Sequence, residues 1–149
     1  MMTSVNGLDL PSIILELIAA NRWQMPTDPA RLRRFFYDFG EPGMGGPKLF
    51  LPPQMQSETN GMLKWGHALC GKADPNNLPG DIEPTKTVII GDTGIGWDAP
   101  IALDYRKMSD DPSVLWFYWR PPANQDKREP WRWVQISPTA ASFAETLEL

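Results

Sequence analysis

The sequence contains little of the chemistry on which catalytic and metal sites usually depend. Among its 149 residues there is one cysteine, Cys70, and one histidine, His67. A single cysteine excludes an internal disulfide bond, so cysteine usage does not point to an oxidising compartment. A metal centre or a nucleophilic site would need further ligands or an orienting carboxylate beside these two side chains. We therefore interpret both as structural residues and predict neither a metal site nor a cofactor.

Positive charge is also scarce. The chain has 14 lysine and arginine residues against 18 aspartate and glutamate residues, which gives a net charge of −4. A nucleic-acid-binding protein needs a basic face that displaces counterions from phosphates, so we expect no nucleic-acid partner. Two small basic clusters are interpreted as solvated faces. They are Arg31, Arg33 and Arg34, and Lys127, Arg128 and Arg132.

Long hydrophobic runs are missing as well. No apolar stretch approaches the roughly 20 residues that are needed to span a bilayer. The first residues lack the basic region of a signal peptide, and Asp9 and Glu16 interrupt the apolar run that follows. We therefore expect no membrane partner and a location in the cytoplasm.

The residues that are present are sufficient for one folded domain. Apolar residues make up 42% of the chain and charged residues 21%, and a chain of this length buries roughly 70% of its unfolded surface. We predict a single domain over residues 1–149. Its 16 prolines are about twice the usual share of roughly 5%, which favours long, stiff loops.

Two amphipathic helices are predicted before Gly40. The first covers Leu10–Trp23, and the second begins after an N-cap at Thr27 or Asp28, with Pro29 just inside it. Apolar residues recur in both at helical spacing, which indicates one buried stripe on each. They are Leu10, Ile14, Leu17 and Ile18 in the first, and Leu32, Phe35, Phe36 and Phe39 in the second.

The middle of the chain is harder to interpret. Gly40–Gly46 reads as a loop, and Lys48–Leu51 as a short edge strand ended by two prolines. Gln54–Gly71 fits either a short helix or an irregular strand, and the sequence does not decide between them. Lys72–Lys86 is polar and rich in proline, asparagine and glycine, so we predict a surface excursion.

The carboxy-terminal half shows the pattern of consecutive antiparallel strands. Segments rich in β-branched and aromatic residues alternate with loops of Gly, Asp, Pro and Ser. The run at Val88–Ile90 predicts a strand covered on both faces, and Ile101–Arg106 alternates between an apolar face and a partly polar one. Val114–Trp119 and Trp131–Ile136 continue the sheet. Helices, then a sheet, then a helix make an α+β domain.

A terminal helix is predicted after the last strand. Ser137 is the expected N-cap and Pro138 lies in the first turn. Phe143 and Leu147 are four residues apart and share one face.

The glycine-rich segment Gly91–Gly96 does not match a nucleotide-binding loop. Its glycines follow the spacing G-x-x-G-x-G and lead towards a strand, whereas dinucleotide loops read G-x-G-x-x-G and open a helix. Without a helix N-terminus the segment has no dipole to hold a phosphate. We interpret it as a turn between strands.

Asp92, Asp98 and Asp104 are the candidates for carboxylate chemistry. They do not follow the spacing of a calcium-binding EF-hand loop. Asp92 and Asp98 are natural turn residues that bond the local backbone, and Asp104 can pair with Arg106 on the same side of its strand. An enzyme built on these carboxylates is the least favoured interpretation.

The same segments resemble the SUKH superfamily, which joins fungal regulators of cell-wall synthesis with bacterial immunity proteins. The resemblance implies a curved, mostly antiparallel sheet flanked by helices, no catalysis, and binding of a cognate toxin, often a nuclease. It covers about a third of the chain strongly. It is carried by Ile90-Gly91-Asp92, Ile101-Ala102-Leu103-Asp104-Tyr105-Arg106, Asp111-Pro112-Ser113-Val114, Trp131-Arg132-Trp133-Val134 and Ser142-Phe143, with a looser fit at Leu10-Pro11, Trp23 and Pro26.

The resemblance and the acidic balance together predict a protein that binds another protein. An immunity protein that neutralises a toxin is the leading hypothesis, and a regulatory scaffold in a larger complex is the alternative. Acidic loops would meet a basic partner and exposed tryptophans would anchor it. The predicted partner-binding residues are Asp92, Trp97, Asp98, Asp104, Asp110, Asp111 and Trp119. The predicted structural residues of the motif are Trp23, Gly91, Leu103, Tyr105, Trp133 and Phe143.

Overall fold

A five-stranded antiparallel sheet organises the fold in the computed structural model, which describes residues 1–42, 45–64, 82–94, 99–119 and 131–149. The side chains of residues 118, 119, 131 and 132 are outside this description. The predicted α+β class is confirmed. In chain order the elements are β1 (Ser4–Val5), β2 (Leu8–Asp9), α1 (Ser12–Ala19), α2 (Pro29–Leu32), β3 (Lys48–Leu49), α3 (Pro52–Lys64), a 3₁₀ turn (Pro84–Lys86), β4 (Thr87–Asp92), β5 (Pro100–Asp104), β6 (Ser113–Trp119), β7 (Trp131–Ser137) and α4 (Ala140–Leu147).

The strand order in the sheet is β3-β4-β5-β6-β7, so neighbours in the sequence pair with each other. Both faces of the sheet are covered. Trp116 packs against Phe36 on one face, whereas α3 covers the opposite face, where Met62 lines a small cavity together with Ile89 and Trp133. As a result every residue of the central strand β5 is buried. The prediction of a partly polar face on this strand is therefore wrong at Asp104, which is buried with the rest.

Two register shifts bend the sheet, one between Ile89 and Gly91 in β4 and one between Val114 and Leu115 in β6. At the first shift the amide of Ile89 donates to the hydroxyl of Thr59 on α3, over 2.9 Å. A buried helix side chain thus supplies the acceptor for a strand amide. This bond fixes α3 against β4 at one position along the strand.

Helix α1 ends four residues before the predicted boundary. Asn21 takes a left-handed conformation with φ of 55°. The amide of Arg22 then donates to the Leu17 carbonyl, and that of Asn21 to the Ile18 carbonyl, which is the Schellman termination. Trp23 therefore leaves the helix and enters the core, where its indole N–H donates to the Phe50 carbonyl over 2.9 Å.

Helix α2 confirms the predicted cap and contradicts the predicted length. The Asp28 carboxylate accepts from the Ala30 amide over 2.9 Å. The helix stops at Leu32 and does not continue to Gly40. The aromatic side chains that follow have poor helix propensity, and each is drawn to a different partner. Phe35 stacks on Phe143, and Phe36 meets Trp116 edge to face.

The ambiguous middle of the chain is helical as far as it is described. The edge strand is confirmed but covers only Lys48–Leu49, two residues fewer than predicted, and the prolines that follow open α3, where their missing N–H groups lie in the first turn. Residues 65–81, which include His67, Cys70 and most of Lys72–Lys86, lie outside the described residues.

A two-stranded hairpin, β1–β2, was not among the expected elements. Its turn is Asn6-Gly7, with φ of 52° and 80°, and the pairing of Val5 with Leu8 leaves these two residues as the loop. Asn-Gly is the sequence most typical of such a turn. The Asn6 side chain bonds Gln56 and Asn60 on α3, which holds the hairpin against that helix.

The last helix begins two residues later than predicted. Thr139, and not Ser137, is its N-cap, and the Thr139 hydroxyl accepts from the Ser142 amide over 3.0 Å. Ser137 is instead the final residue of β7. Phe143 and Leu147 are both buried, as predicted.

Three arginines hold the other end of α4. Arg22 donates to the Leu149 carbonyl, Arg31 to the Glu148 carbonyl and Arg34 to the Thr146 carbonyl, over 2.5–2.7 Å. Cations at a helix C-terminus also interact favourably with the helix dipole. The first part of the chain is thereby joined to the last helix of the domain.

Candidate functional site

The predicted partner-binding residues fall at two opposite ends of the sheet. Asp92 pairs with Pro100 where β4 ends, whereas Asp104 pairs with Thr87 four residues further along β5. At about 3.3 Å per residue the two ends are roughly 13 Å apart. We call them the Asp92 end and the Asp104 end. Trp119 lies at the Asp92 end, because β6 continues three residues past Trp116, the partner of Ile101.

Three of the predicted residues lie wholly or partly outside the described part of the chain. Trp97 and Asp98 lie outside the described residues, and of Trp119 only the backbone is described. The remaining four are divided between the ends, because Asp110 and Asp111 precede β6 at the Asp104 end. The predicted set is therefore not one continuous surface.

Asp104 is an interior residue. It is only 4% exposed, and its carboxylate forms a bidentate pair with Arg106, with bonds of 2.9 Å from Nε and 2.8 Å from Nη2. It also accepts from the Arg106 backbone amide. The predicted pairing is confirmed, but a partner could reach little of this carboxylate. We therefore exclude Asp104 from the candidate surface.

Asp111 has a structural partner too. One carboxylate oxygen accepts from the Ala141 amide in the first turn of α4, over 3.1 Å, and a negative charge there complements the helix dipole. Asp110 is exposed. The charges beside it are mixed, because Glu83, Lys86, Arg106 and Lys107 are also exposed around the end of β5. The exposed charges at the Asp104 end are therefore of both signs.

At the Asp92 end the carboxylate of Asp92 organises the turn after β4. Its two oxygens accept from the amides of Gly94, over 2.6 Å, and Ala99, over 3.3 Å. These bonds connect the end of β4 to the start of β5 across the loop, as predicted for a turn aspartate. Asp92 is half-buried, so one side of it remains at the surface.

The two glycine-rich segments of the sequence meet here. The amide of Gly40 donates to the Thr93 carbonyl over 2.7 Å. A Cβ on Gly40 would lie 2.6 Å from the Gly94 carbonyl oxygen, and a Cβ on Gly94 would lie 2.8 Å from that of Gly45. Backbone therefore packs directly on backbone, and only glycine permits this distance. We call this the glycine contact.

An aromatic pair stands beside the glycine contact. The Trp116 indole N–H donates to the hydroxyl of Thr93 over 3.3 Å. Tyr37 packs its ring edge against Trp116, with centroids 5.4 Å apart. Tyr37 is nevertheless 58% exposed. Sequence reasoning missed this residue, because it assigned only Leu32, Phe35, Phe36 and Phe39 in this segment, as a buried stripe, and looked for exposed anchors among the tryptophans.

Among the described residues around this end, carboxylates outnumber cations. Asp38 and Glu41 are exposed on either side of Gly40, and Glu58 is exposed on α3 near Asp92. The cations are Lys48, opposite Asp92 in the sheet, and Arg33, which lies 5.8 Å from the Phe39 ring centroid. Among the described residues at this end, four carboxylates therefore stand against two cations.

A cavity at the Asp92 end is too small for a substrate. Its volume is about 20 Å³, which is room for about one water molecule, whereas small-molecule sites occupy roughly 300–1,000 Å³. The indole nitrogen of Trp133, which also lines the cavity, is buried without a hydrogen-bond partner in the described structure. The lining residues are Phe50, Glu58, Met62, Ile89, Asp92, Pro100 and Trp133. Within the described ranges no three His, Cys, Asp or Glu side chains are grouped as a metal would require.

The six predicted structural residues are all buried. Trp133 packs on Phe117 and Phe143 on Phe35, with ring centroids 5.1 Å apart in both pairs. A Cβ on Gly91 would lie 2.5 Å from the Lys48 carbonyl, so glycine lets β3 pair with β4. The six buried structural residues are Trp23, Gly91, Leu103, Tyr105, Trp133 and Phe143.

Tyr105 connects the Asp104 end to the amino-terminal hairpin. Its hydroxyl donates to the Asp9 carbonyl over 2.8 Å. Burial of the side chain, and then the nearby negative charge of Asp9, raise the pKa of the phenol well above its ordinary value. Tyr105 is therefore a neutral hydrogen-bond donor throughout the physiological range.

Comparison with protein-family models, with curated proteins and with solved structures gives no match. None of the helices in the described ranges has the length and hydrophobicity that a membrane span requires. The resemblance to the SUKH superfamily therefore stays a prediction.

Proposed function

We propose that this chain is a non-catalytic protein-binding domain of the SUKH kind that acts as an immunity protein, neutralising a cognate bacterial toxin by direct binding. The observation that carries the proposal is the construction of the Asp92 end. Two loops are packed backbone to backbone there, and among the described residues around them exposed carboxylates outnumber cations. A surface fixed before binding loses little conformational freedom when a partner docks.

The use of the aspartates favours binding over catalysis. Asp92 holds two backbone amides, and Asp104 is paired with Arg106. A general acid or base must reach a proton on its substrate, and these carboxylates instead bond the protein itself. The cavity beside Asp92 has room for little more than a water molecule. Within the described part of the chain these observations favour binding at an outer surface.

Neutralisation would follow from occlusion. Many nucleases carry a basic face that contacts phosphates, and an acidic surface is complementary to such a face. Complementary charge accelerates encounter and selects partners more than it adds affinity. We expect the Asp92 end to cover the basic face of the toxin domain and to exclude its substrate.

The test is co-expression with the toxin domain encoded by the adjacent gene. The proposal predicts rescue of growth, and a complex of the two purified proteins that co-elutes on size exclusion and weakens as salt rises. Undiminished killing together with separate elution would contradict it. The regulatory scaffold would be favoured instead if the gene had no neighbouring toxin gene and this protein co-purified with a larger cellular assembly.

A further inference from the structure

We infer that Tyr37 is the anchor residue of the partner interface and that it receives a lysine or arginine side chain from a basic protein face. This inference rests on the proposed function. It identifies where on the Asp92 end the partner docks and which chemistry it presents. Tyr37 is the aromatic residue among the large apolar side chains that are exposed in the described part of the chain.

Tyr37 is exposed and yet fixed in position. Its ring rests edge-on against Trp116, which is itself buried between Phe36 and the hydroxyl of Thr93. An exposed side chain normally loses rotamer freedom when it is bound. Here the packing has already restricted the ring, so docking costs less. Tyrosine residues of this kind are frequent among the few that dominate binding energy.

The surrounding charge selects the partner. Asp38 follows Tyr37 directly, and Glu41 lies on the other side of Gly40, whose bond to Thr93 places this segment beside Asp92. A cation over the Tyr37 ring would be attracted by the ring face and by these carboxylates together. The cations of the same segment are already engaged, Arg33 over the Phe39 ring and Arg34 with Glu148, so these carboxylates would repel an acidic partner face. The occupant that fits is therefore the basic face of a protein.

The experiment measures the dissociation constant of the purified complex with the toxin domain encoded by the adjacent gene. Tyr37→Ala is expected to weaken binding at least tenfold, whereas Tyr37→Phe, which keeps the ring, retains most of the affinity. Asp38→Asn combined with Glu41→Gln is expected to lower the association rate and to flatten its dependence on salt. Met108→Ala is the matched control, because Met108 is 51% exposed and lies at the Asp104 end.

The outcomes separate this inference from the proposed function. If wild type forms the complex and Tyr37→Ala, with an unchanged melting temperature, binds within twofold of it, Tyr37 is not the anchor and the proposed function stands. A loss on Met108→Ala in place of Tyr37→Ala would move the interface to the Asp104 end and overturn the inference. If wild type forms no complex at all, the proposed function itself falls.

Discussion

The amide of Gly40 donates to the carbonyl of Thr93 over 2.7 Å, and this bond joins two loops that are more than 50 residues apart in the sequence. Their contact places Tyr37, Asp38 and Glu41 beside Asp92 and so builds the surface to which we assign the function. The requirement for glycine at this contact can be tested directly.

Gly40→Ala should destabilise the protein by about 1–3 kcal/mol, because the new Cβ would lie 2.6 Å from the Gly94 carbonyl oxygen. Gly61→Ala is the control. Gly61 lies within α3 and its Cβ would meet nothing within 4 Å, so this change should stabilise by roughly 0.5–1 kcal/mol. Urea denaturation of both variants measures the difference. Equal effects of the two substitutions would contradict the glycine contact.

Arg34→Ala should cost about 1–2 kcal/mol. Arg34 donates to the Thr146 carbonyl over 2.7 Å and pairs with Glu148 over 2.8 Å. The ion pair itself is worth at most about 1 kcal/mol, since its side chains are 44% and 57% exposed. The rest of the cost should come from the lost bond to the Thr146 carbonyl, which is worth about 1 kcal/mol.

Thermal melts of Arg34→Ala and Glu148→Gly measure the two contributions, and Glu148→Gly should be nearly neutral. Glu148 has a left-handed backbone with φ of 58°, which costs a non-glycine residue about 1–2 kcal/mol. Relief of that cost offsets the loss of two exposed ion pairs, to Arg31 and to Arg34. If Glu148→Gly destabilised as much as Arg34→Ala, the ion pair and not the carbonyl bond would be the main interaction.

Arg106→Ala should destabilise by roughly 2–3 kcal/mol, because it leaves the Asp104 carboxylate buried without its cation. This destabilisation is smaller than the about 3–5 kcal/mol expected when a fully buried ion pair loses one partner, because the Arg106 side chain is 35% exposed. Asp104→Asn added to Arg106→Ala should recover part of the loss by removing the stranded charge. A double variant no more stable than Arg106→Ala alone would show that the charge is not the cause.

Tyr105 should make the fold sensitive to alkali. Burial, and then the charge of Asp9, raise its pKa in the native state above the ordinary value near 10. The unfolded chain therefore loses this proton first, so the stability contributed by the neutral phenol is complete below about pH 10 and decreases as pH rises towards the native pKa.

Tyr105→Phe is the comparison for that prediction. At neutral pH it should cost about 1 kcal/mol, for the lost bond to the Asp9 carbonyl. Above pH 10 the gap between wild type and Tyr105→Phe should narrow, because phenylalanine does not ionise. A gap that stays constant between pH 8 and pH 11 in urea denaturation would exclude a raised pKa.

Local signals predicted much of this fold. The Asp28 cap, the edge strand at Lys48 and the antiparallel strands from Thr87 onward all follow from patterns within a few residues. The Asn6-Gly7 turn was equally visible in the sequence, as a two-residue hairpin signal. Such features are set by neighbours along the chain, which is why a single sequence contains them.

The features that sequence reasoning missed depend on contacts between distant segments. Helix α2 stops because Phe35 and Phe36 pack on Phe143 and Trp116, residues far along the chain. Asp104 is buried because the sheet is covered on both faces. The glycine contact needs both loops in place before either glycine is required. None of these partners could be assigned without the tertiary structure.

Hydrogen–deuterium exchange of the protein, alone and in complex with the toxin domain encoded by the adjacent gene, tests the central claim most directly. We predict that binding protects backbone amides at residues 37–42 and 92–94 and leaves residues 106–111 unchanged. Protection confined to residues 106–111, or the same exchange with and without the toxin domain, would contradict the account.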